Sequence, residues 1–174
     1  MSDEAGRTAL VVPVPDLEPL VGPWREQFDP GAALGVPAHV TVGYPFLPLT
    51  AVTASVVEDL AALVAGEPAP TVTFARCGRF PEVLWLDPEP AAPFVRLTRA
   101  LVARWPEAPP YGGRFGDDVV PHFTVAITPS EPDLDTVERD LGPSLPLTTV
   151  LREAVLLGHD GRCWSVRHRF AFGW

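Results

Sequence analysis

Two periods of apolar spacing succeed one another along this chain. Thr8–Val14 is a β-branched run bounded by Pro13 and Pro15 and predicts a strand. Asp16 offers an N-cap for a helix over about Leu17–Phe28, which Pro23 shortens or kinks. Asp29-Pro30-Gly31 is a turn signal, and His39–Tyr44 alternates as a strand does. Thr50 or Thr53 caps a helix reaching about Ala65, with Val52, Val56, Leu60 and Leu63 on one face and Gly66 at its end. Thr71–Ala75 and Val83–Leu86 predict strands, with a loop from Gly78 to Glu82 between them. Asp87-Pro88-Glu89-Pro90 breaks the pattern, after which Phe94, Leu97, Leu101 and Trp105 keep helical spacing. Pro106–Gly116 is a Pro/Gly-rich loop and Val119–Thr128 a strand. Asp133–Leu141 is a short helix capped by Asp133 and ended by Gly142. Leu147–Leu157 and Cys163–Phe172 form a hairpin around Gly158-His159-Asp160-Gly161.

Strand runs interleaved with helices and closed by hairpins predict an α+β or mixed α/β fold with much antiparallel pairing. No linker divides the chain, so residues 1–174 are expected to form a single domain. Residues 31–57 carry no charge, but Pro37, Pro45 and Pro48 inside that span argue against a membrane helix. Met1-Ser2-Asp3-Glu4 is acidic where a secretory leader starts basic. The expectation is a cytoplasmic monomer with no membrane partner, in which Cys77 and Cys163 are free, buried thiols.

Charge and composition narrow the chemistry. Thirteen basic residues against 22 acidic ones leave a net charge of −9, which argues against coating long nucleic acid but not against a pocket for one or two nucleotides. All the cations are Arg. With no Lys there is no Walker P-loop, no Schiff-base site and no nucleotide carried on Lys. With no Asn a Cys-His-Asn protease site is excluded.

One feature rises above composition. His39-Val40-Thr41-Val42 recurs 83 residues later as His122-Phe123-Thr124-Val125, with Pro37-Ala38 before the first copy and Pro121 before the second. On a strand, His39 and Thr41 share one face while Val40 and Val42 take the other, and the second copy repeats the phasing. Each copy buries apolar side chains and presents an imidazole beside a hydroxyl. Two such pairs meeting across a cleft suit phosphoryl transfer. A neutral His takes a proton from the attacking oxygen, a protonated His gives one to the leaving oxygen, and the hydroxyls of Thr41 and Thr124 bind phosphate oxygens.

On these motifs the sequence resembles the 2H phosphoesterase superfamily, in particular its 2′-5′ RNA ligase-like branch. Tyr44-Pro45-Phe46, Gly78-Arg79-Phe80 and Leu84-Trp85-Leu86 add to the likeness, which runs from the strand at Leu10 to the final hairpin. The resemblance implies an α+β, bilobal fold of two pseudo-symmetric lobes with largely antiparallel sheets around a central cleft. It implies metal- and cofactor-independent chemistry on 2′,3′-cyclic phosphates or 2′-5′ phosphodiester bonds of RNA ends or small nucleotides. His39 and His122 would then be the acid/base pair, and Thr41 and Thr124 the phosphate-binding residues. A non-catalytic nucleotide-binding module on the same fold is the alternative.

Further candidates follow from residue type. Arg79 and Arg114, each in a Gly-Arg-Phe triplet, are candidates to hold a phosphate. Phe46, Phe80, Tyr111 and Phe115 are candidates to stack on a base. Asp117 and Asp118 precede His122 and would suit orienting an imidazole or, with both His, binding a metal; an ordinary acidic loop is the expectation. His159, Cys163 and His168 match no zinc frame, and His168 falls in phase with a packed face. Ser144 lies outside any nucleophile-elbow motif.

Overall fold

A computed structural model describes residues 3–174. Its strands are β1 (Thr8–Pro13), β2 (His39–Gly43), β3 (Thr71–Phe80), β4 (Val83–Glu89), β5 (Phe123–Ile127), β6 (Leu147–Val150), β7 (Glu153–His159) and β8 (Trp164–Ala171). Its helices are α1 (Glu18–Phe28), the single turn α2 (Pro30–Ala33), α3 (Ala54–Ala65), α4 (Ala92–Arg104) and α5 (Glu131–Leu141). No helix among the described residues is long and apolar enough to cross a membrane.

The strands form one sheet in the order β6-β3-β4-β5-β2-β1-β7-β8, with antiparallel pairing between neighbours. The order reads the same outward from its middle. β2 and β5, the strands of the two His-x-Thr copies, stand side by side, flanked by β1 and β4 in turn. Each half is built from strand, helix, irregular loop and His strand: β1-α1-β2 and β4-α4-β5. The helices cross over, α1 packing against β5 and α4 against β2, so the two halves share their core.

Only Leu151 and Arg152 separate β6 from β7, although these strands stand six places apart in the sheet. Six places in a flat sheet span ~29 Å, whereas this link reaches ~11 Å at most. The sheet therefore curls, and its helix-free face becomes the inside of a cleft. The other face carries the main core, including Leu10, Val12, Val40, Val42, Leu84, Leu86, Phe123 and Val125. Gly43 lets α4 close on β2, since a Cβ there would lie 2.3 Å from Leu101.

Several boundaries differ from the sequence expectation. The loop expected over Gly78–Glu82 is mostly strand, because β3 runs on to Phe80 and turns at Pro81-Glu82. β4 likewise continues through Asp87-Pro88-Glu89, with Pro88 buried. The strand over Val119–Thr128 contracts to Phe123–Ile127. The expected strand over Leu147–Leu157 is two strands at opposite sides of the sheet, split at Leu151-Arg152. Asp16 caps nothing; its carboxylate accepts from the Thr149 hydroxyl, and α1 continues through Pro23. Ser130, not Asp133, caps α5, accepting from the Asp133 N–H, while Thr53 caps α3 and Asp29 caps α2.

Candidate active site

The alternation read from the sequence holds on both central strands. Val40, Val42, Phe123 and Val125 are buried on the helix side, and His39, Thr41, His122 and Thr124 are half-buried on the other. The four polar side chains line one cleft of about 370 Å³, with Tyr44, Tyr111, Asp29, Leu157 and Trp164 among its walls. The strand register explains the convergence. Val40 lies opposite Phe123, so the residues on either side of that pair face each other across the join.

Both imidazoles are oriented in the same way. His39 Nδ1 lies 2.6 Å from the Pro37 carbonyl and His122 Nδ1 lies 2.8 Å from the Val120 carbonyl. A carbonyl only accepts, so Nδ1 carries the proton in each ring and Nε2 is the free base of the neutral form. The surroundings of Nε2 differ. His39 Nε2 lies 3.0 Å from the Thr41 hydroxyl, whereas His122 Nε2 makes no hydrogen bond with a described residue. The His122 ring instead stands edge-on to Phe80 and Trp85, with centroids at 5.1 and 6.1 Å. Phe80 and Trp85 stack on each other at 5.0 Å.

Burial depresses the basicity of both rings. His39 is pushed down to about 4, chiefly by desolvation, with the Arg25 cation and His122 adding to it against the Pro37 carbonyl. His122 is lowered for the same first reason and is opposed by the Val120 carbonyl. Opposite protonation states near neutrality are therefore not a property of the empty cleft. A bound phosphate supplies the negative charge that raises an imidazole again.

The segment entering His39 is fixed by a buried arginine that sequence reading overlooked. Arg25 donates to the Asp29 carboxylate at 3.0 Å and to the Val36 carbonyl at 2.9 Å, and pairs with Glu18 at 3.6 Å. Glu18 in turn accepts from the Ala38 N–H at 2.8 Å. Tyr44 and Trp164 were also missed. Their rings meet edge-on at 6.0 Å, and the Tyr44 hydroxyl donates to Glu4 at 2.8 Å. Tyr44 directly follows the first motif strand, which was a usable signal; Trp164 lies on β8 and has none.

The remaining candidates divide. Tyr111 lines the cleft, and Phe80 touches its edge through His122. Phe115 is half exposed, packed edge-on against Tyr111 and under the Arg114 guanidinium, outside the cleft wall. Phe46 is a core residue, buried edge-on against Trp105. Arg79 points to the helix side, where Glu131, Asp135 and Glu138 of α5 hold it. Asp117 and Asp118 are exposed, and among the described residues no group of three His, Cys, Asp or Glu side chains is arranged to hold a metal ion. His159 is buried against Trp164, while His168 is exposed on β8, contrary to its expected place on a packed face. Cys77 and Cys163 are free thiols; Cys77 is half-buried, which raises its thiol to about 11, whereas Cys163 is exposed in the β7–β8 turn, contrary to its expected burial.

Residues 13–162 match the family model of the 2'-5' RNA ligase superfamily. The chain belongs to that superfamily. A search of the curated proteins found no match. Among solved structures, E. coli LigT complexed with 3'-AMP is 18% identical with a TM-score of 0.58, covering 97% of this chain and 98% of its own. E. coli LigT complexed with NADP+ is 18% identical with a TM-score of 0.57, covering 99% and 100%. A protein of Thermus thermophilus is 18% identical with a TM-score of 0.60, covering 95% and 97%. These likenesses show that the curled antiparallel α+β sheet is a fold this chain shares with E. coli LigT, and membership of the superfamily supports a phosphoesterase or RNA-ligase type of activity.

Proposed function

We propose that this superfamily member is a metal-independent phosphoesterase that opens 2′,3′-cyclic phosphates or cleaves 2′-5′ phosphodiester bonds at RNA ends or in small nucleotides. The observation that carries this reading is the convergence of His39, Thr41, His122 and Thr124 on one cleft, with both Nε2 atoms left as the reactive nitrogens. The occupants of E. coli LigT, 3'-AMP and NADP+, are of the same nucleotide class.

His39 is the base. Its deep desolvation and the nearby Arg25 keep it neutral at pH 7. It takes a proton from the attacking water, whose oxygen forms a bond to phosphorus. The ester P–O bond breaks on the opposite side, and His122, protonated when the phosphate anion binds, gives its proton to the leaving ribose oxygen. Thr41 and Thr124 donate to the phosphoryl oxygens as charge builds on them. Transfer to a ribose hydroxyl in place of water runs the same steps toward ligation.

The test is turnover of the four 2′,3′-cyclic mononucleotides and short 2′-5′ and 3′-5′ oligonucleotides in EDTA, with products resolved by phosphate position. Turnover by the wild type, reduced at least ~10³-fold in His39→Ala and His122→Ala, is expected. Unchanged turnover in either variant overturns the mechanism. Nucleotide binding without product favours the binding module instead.

A further inference from the structure

Among the described residues no Arg stands in the wall of the cleft, and the chain has no Lys. Besides the two histidines, the charged residues of that wall are both carboxylates, Glu4 and Asp29. The arginines around it are engaged elsewhere. Arg25 lies behind the wall, 3% exposed, with Asp29 at 3.0 Å and Glu18 at 3.6 Å. One guanidinium thus faces two carboxylates beside the segment that enters His39. Arg7 turns to Asp3 at 3.1 Å and to the Tyr44 hydroxyl at 3.4 Å, and Arg114 lies over Phe115. Ile127, on the cleft side of β5 three residues beyond Thr124, is 43% exposed and presents an aliphatic group where a cation would reach a ligand.

A phosphate in this cleft therefore meets neutral donors, the hydroxyls of Thr41 and Thr124, and the charge that the histidines take up with it. Burial keeps both imidazoles neutral at pH 7 in the protein alone. One proton on His122 balances one negative charge. A second negative charge has no fixed counterpart among the described residues of the wall, and leaving it unpaired beside carboxylates is costly. Phosphate esters differ in this respect. A diester, cyclic or open, carries a single charge across the neutral range, whereas a monoester carries a second one above about pH 6.

We propose that the cleft selects its ligand by phosphate charge, taking singly charged phosphodiesters and rejecting doubly charged phosphomonoesters. This rests on the phosphoesterase reading for taking a phosphate ester as the ligand, and it adds a means of product release. Ring opening of a cyclic phosphate adds water: one hydrogen ends on the ribose oxygen and the remaining O–H on phosphorus, so the product forms with one charge. Loss of that P–OH proton to solvent makes the dianion, which the cleft does not hold, and the product leaves.

The test is calorimetric binding of 2′-deoxyadenosine 3′-phosphate and of its methyl ester at pH 5.5 and pH 7.5. Neither has the 2′-hydroxyl needed to close a cyclic phosphate. The singly charged form of the monoester falls from about three-quarters to about 3% between these pH values, and the ester keeps one charge at both. The ratio of monoester Kd to ester Kd is expected to rise about 20-fold; taking the ratio cancels the histidine titration common to both ligands. Ile127→Arg supplies the missing cation at an exposed position. It should tighten the monoester about tenfold at pH 7.5 and the ester about threefold, because the Coulomb gain doubles with the charge. A ratio that does not change with pH, or equal effects of Ile127→Arg on the two ligands, overturns the proposal. Neither ligand binding at millimolar concentration overturns it as well. Turnover of cyclic phosphates with an unchanged ratio overturns charge selection alone, whereas charge-selective binding without turnover of any phosphodiester leaves it standing and overturns the enzymatic reading.

Discussion

Val40 of β2 lies opposite Phe123 of β5, and this is the pair through which the two halves of the sheet are in register. Both residues are fully buried, and both sit between the His and the Thr of a motif. The core contact that joins the halves therefore also sets the distance between the two reactive imidazoles. Phe123 further packs edge-on against Phe74 at 5.6 Å. Phe123→Ala should cost roughly 3–5 kcal/mol in urea unfolding, in the range for a buried aromatic truncation. Phe123→Leu should cost less stability and still lower kcat, because β2 and β5 resettle at their join. A Phe123→Leu protein with normal kcat and reduced stability would separate the packing role from the spacing role.

The depressed basicity of His39 has a measurable sign. Unfolded, the imidazole titrates near pH ~6.5; folded, it does so at about 4. Between those values the unfolded chain binds the extra proton, so stability rises with pH across this window and is level above it. As pH falls from about 6.5 toward 4 the loss from this group approaches roughly 3 kcal/mol. The melting temperature of the ligand-free protein should therefore drop more steeply over this window in the wild type than in His39→Gln. His122, lowered in the same direction, adds to the slope. Parallel curves for the wild type and His39→Gln would show that His39 titrates normally.

What the sequence disclosed follows the range of the interactions involved. The faces of His39, Thr41, His122 and Thr124 depend on alternation within a few residues, and they were legible. The long helices were legible too, because Leu60, Phe94, Leu97, Leu101 and Leu134 bury a face at helical spacing. The split of 147–157 was hidden, since apolar content cannot show that β6 pairs with β3 while β7 pairs with β1. The same limit hid Trp164, which lines the cleft, and Arg25, which braces the segment before His39, since both act there only through tertiary packing, and it made Arg79 look like a phosphate ligand.

Arg79 illustrates the last point. Its neighbours on β3 and β4 put it opposite Leu84, a buried helix-side residue, so its guanidinium meets the acidic stripe of α5. Glu131 and Asp135 lie 3.1 and 2.9 Å away, and Glu138 completes the cluster. Arg79→Ala should change kcat/KM less than about twofold. It should lower stability by about 1 kcal/mol or less, since the cluster is partly solvated. The stability loss should shrink in high salt. A tenfold loss of kcat/KM with intact stability would return Arg79 to the substrate.

Gly78 sits on the opposite face from Arg79, directly beneath the aromatic wall of His122. A Cβ there would lie 2.3 Å from one indole carbon of Trp85 and 2.5 Å from the next. The indole is rigid and already stacked on Phe80, so it cannot yield by bending a flexible tip. It must swing as a whole, and it carries the surface against which His122 stands. Gly78→Ala should therefore lower kcat at least tenfold while His39 and Thr41 keep their geometry. Phosphate binding, held by the hydroxyls, should weaken far less than kcat. One further variant locates the cause. Trp85→Leu combined with Gly78→Ala removes the clash and should recover more activity than Gly78→Ala alone has. If the double variant is no better than Gly78→Ala while Trp85→Leu alone stays active, the glycine is required by the β3–β4 backbone and not by the wall behind His122.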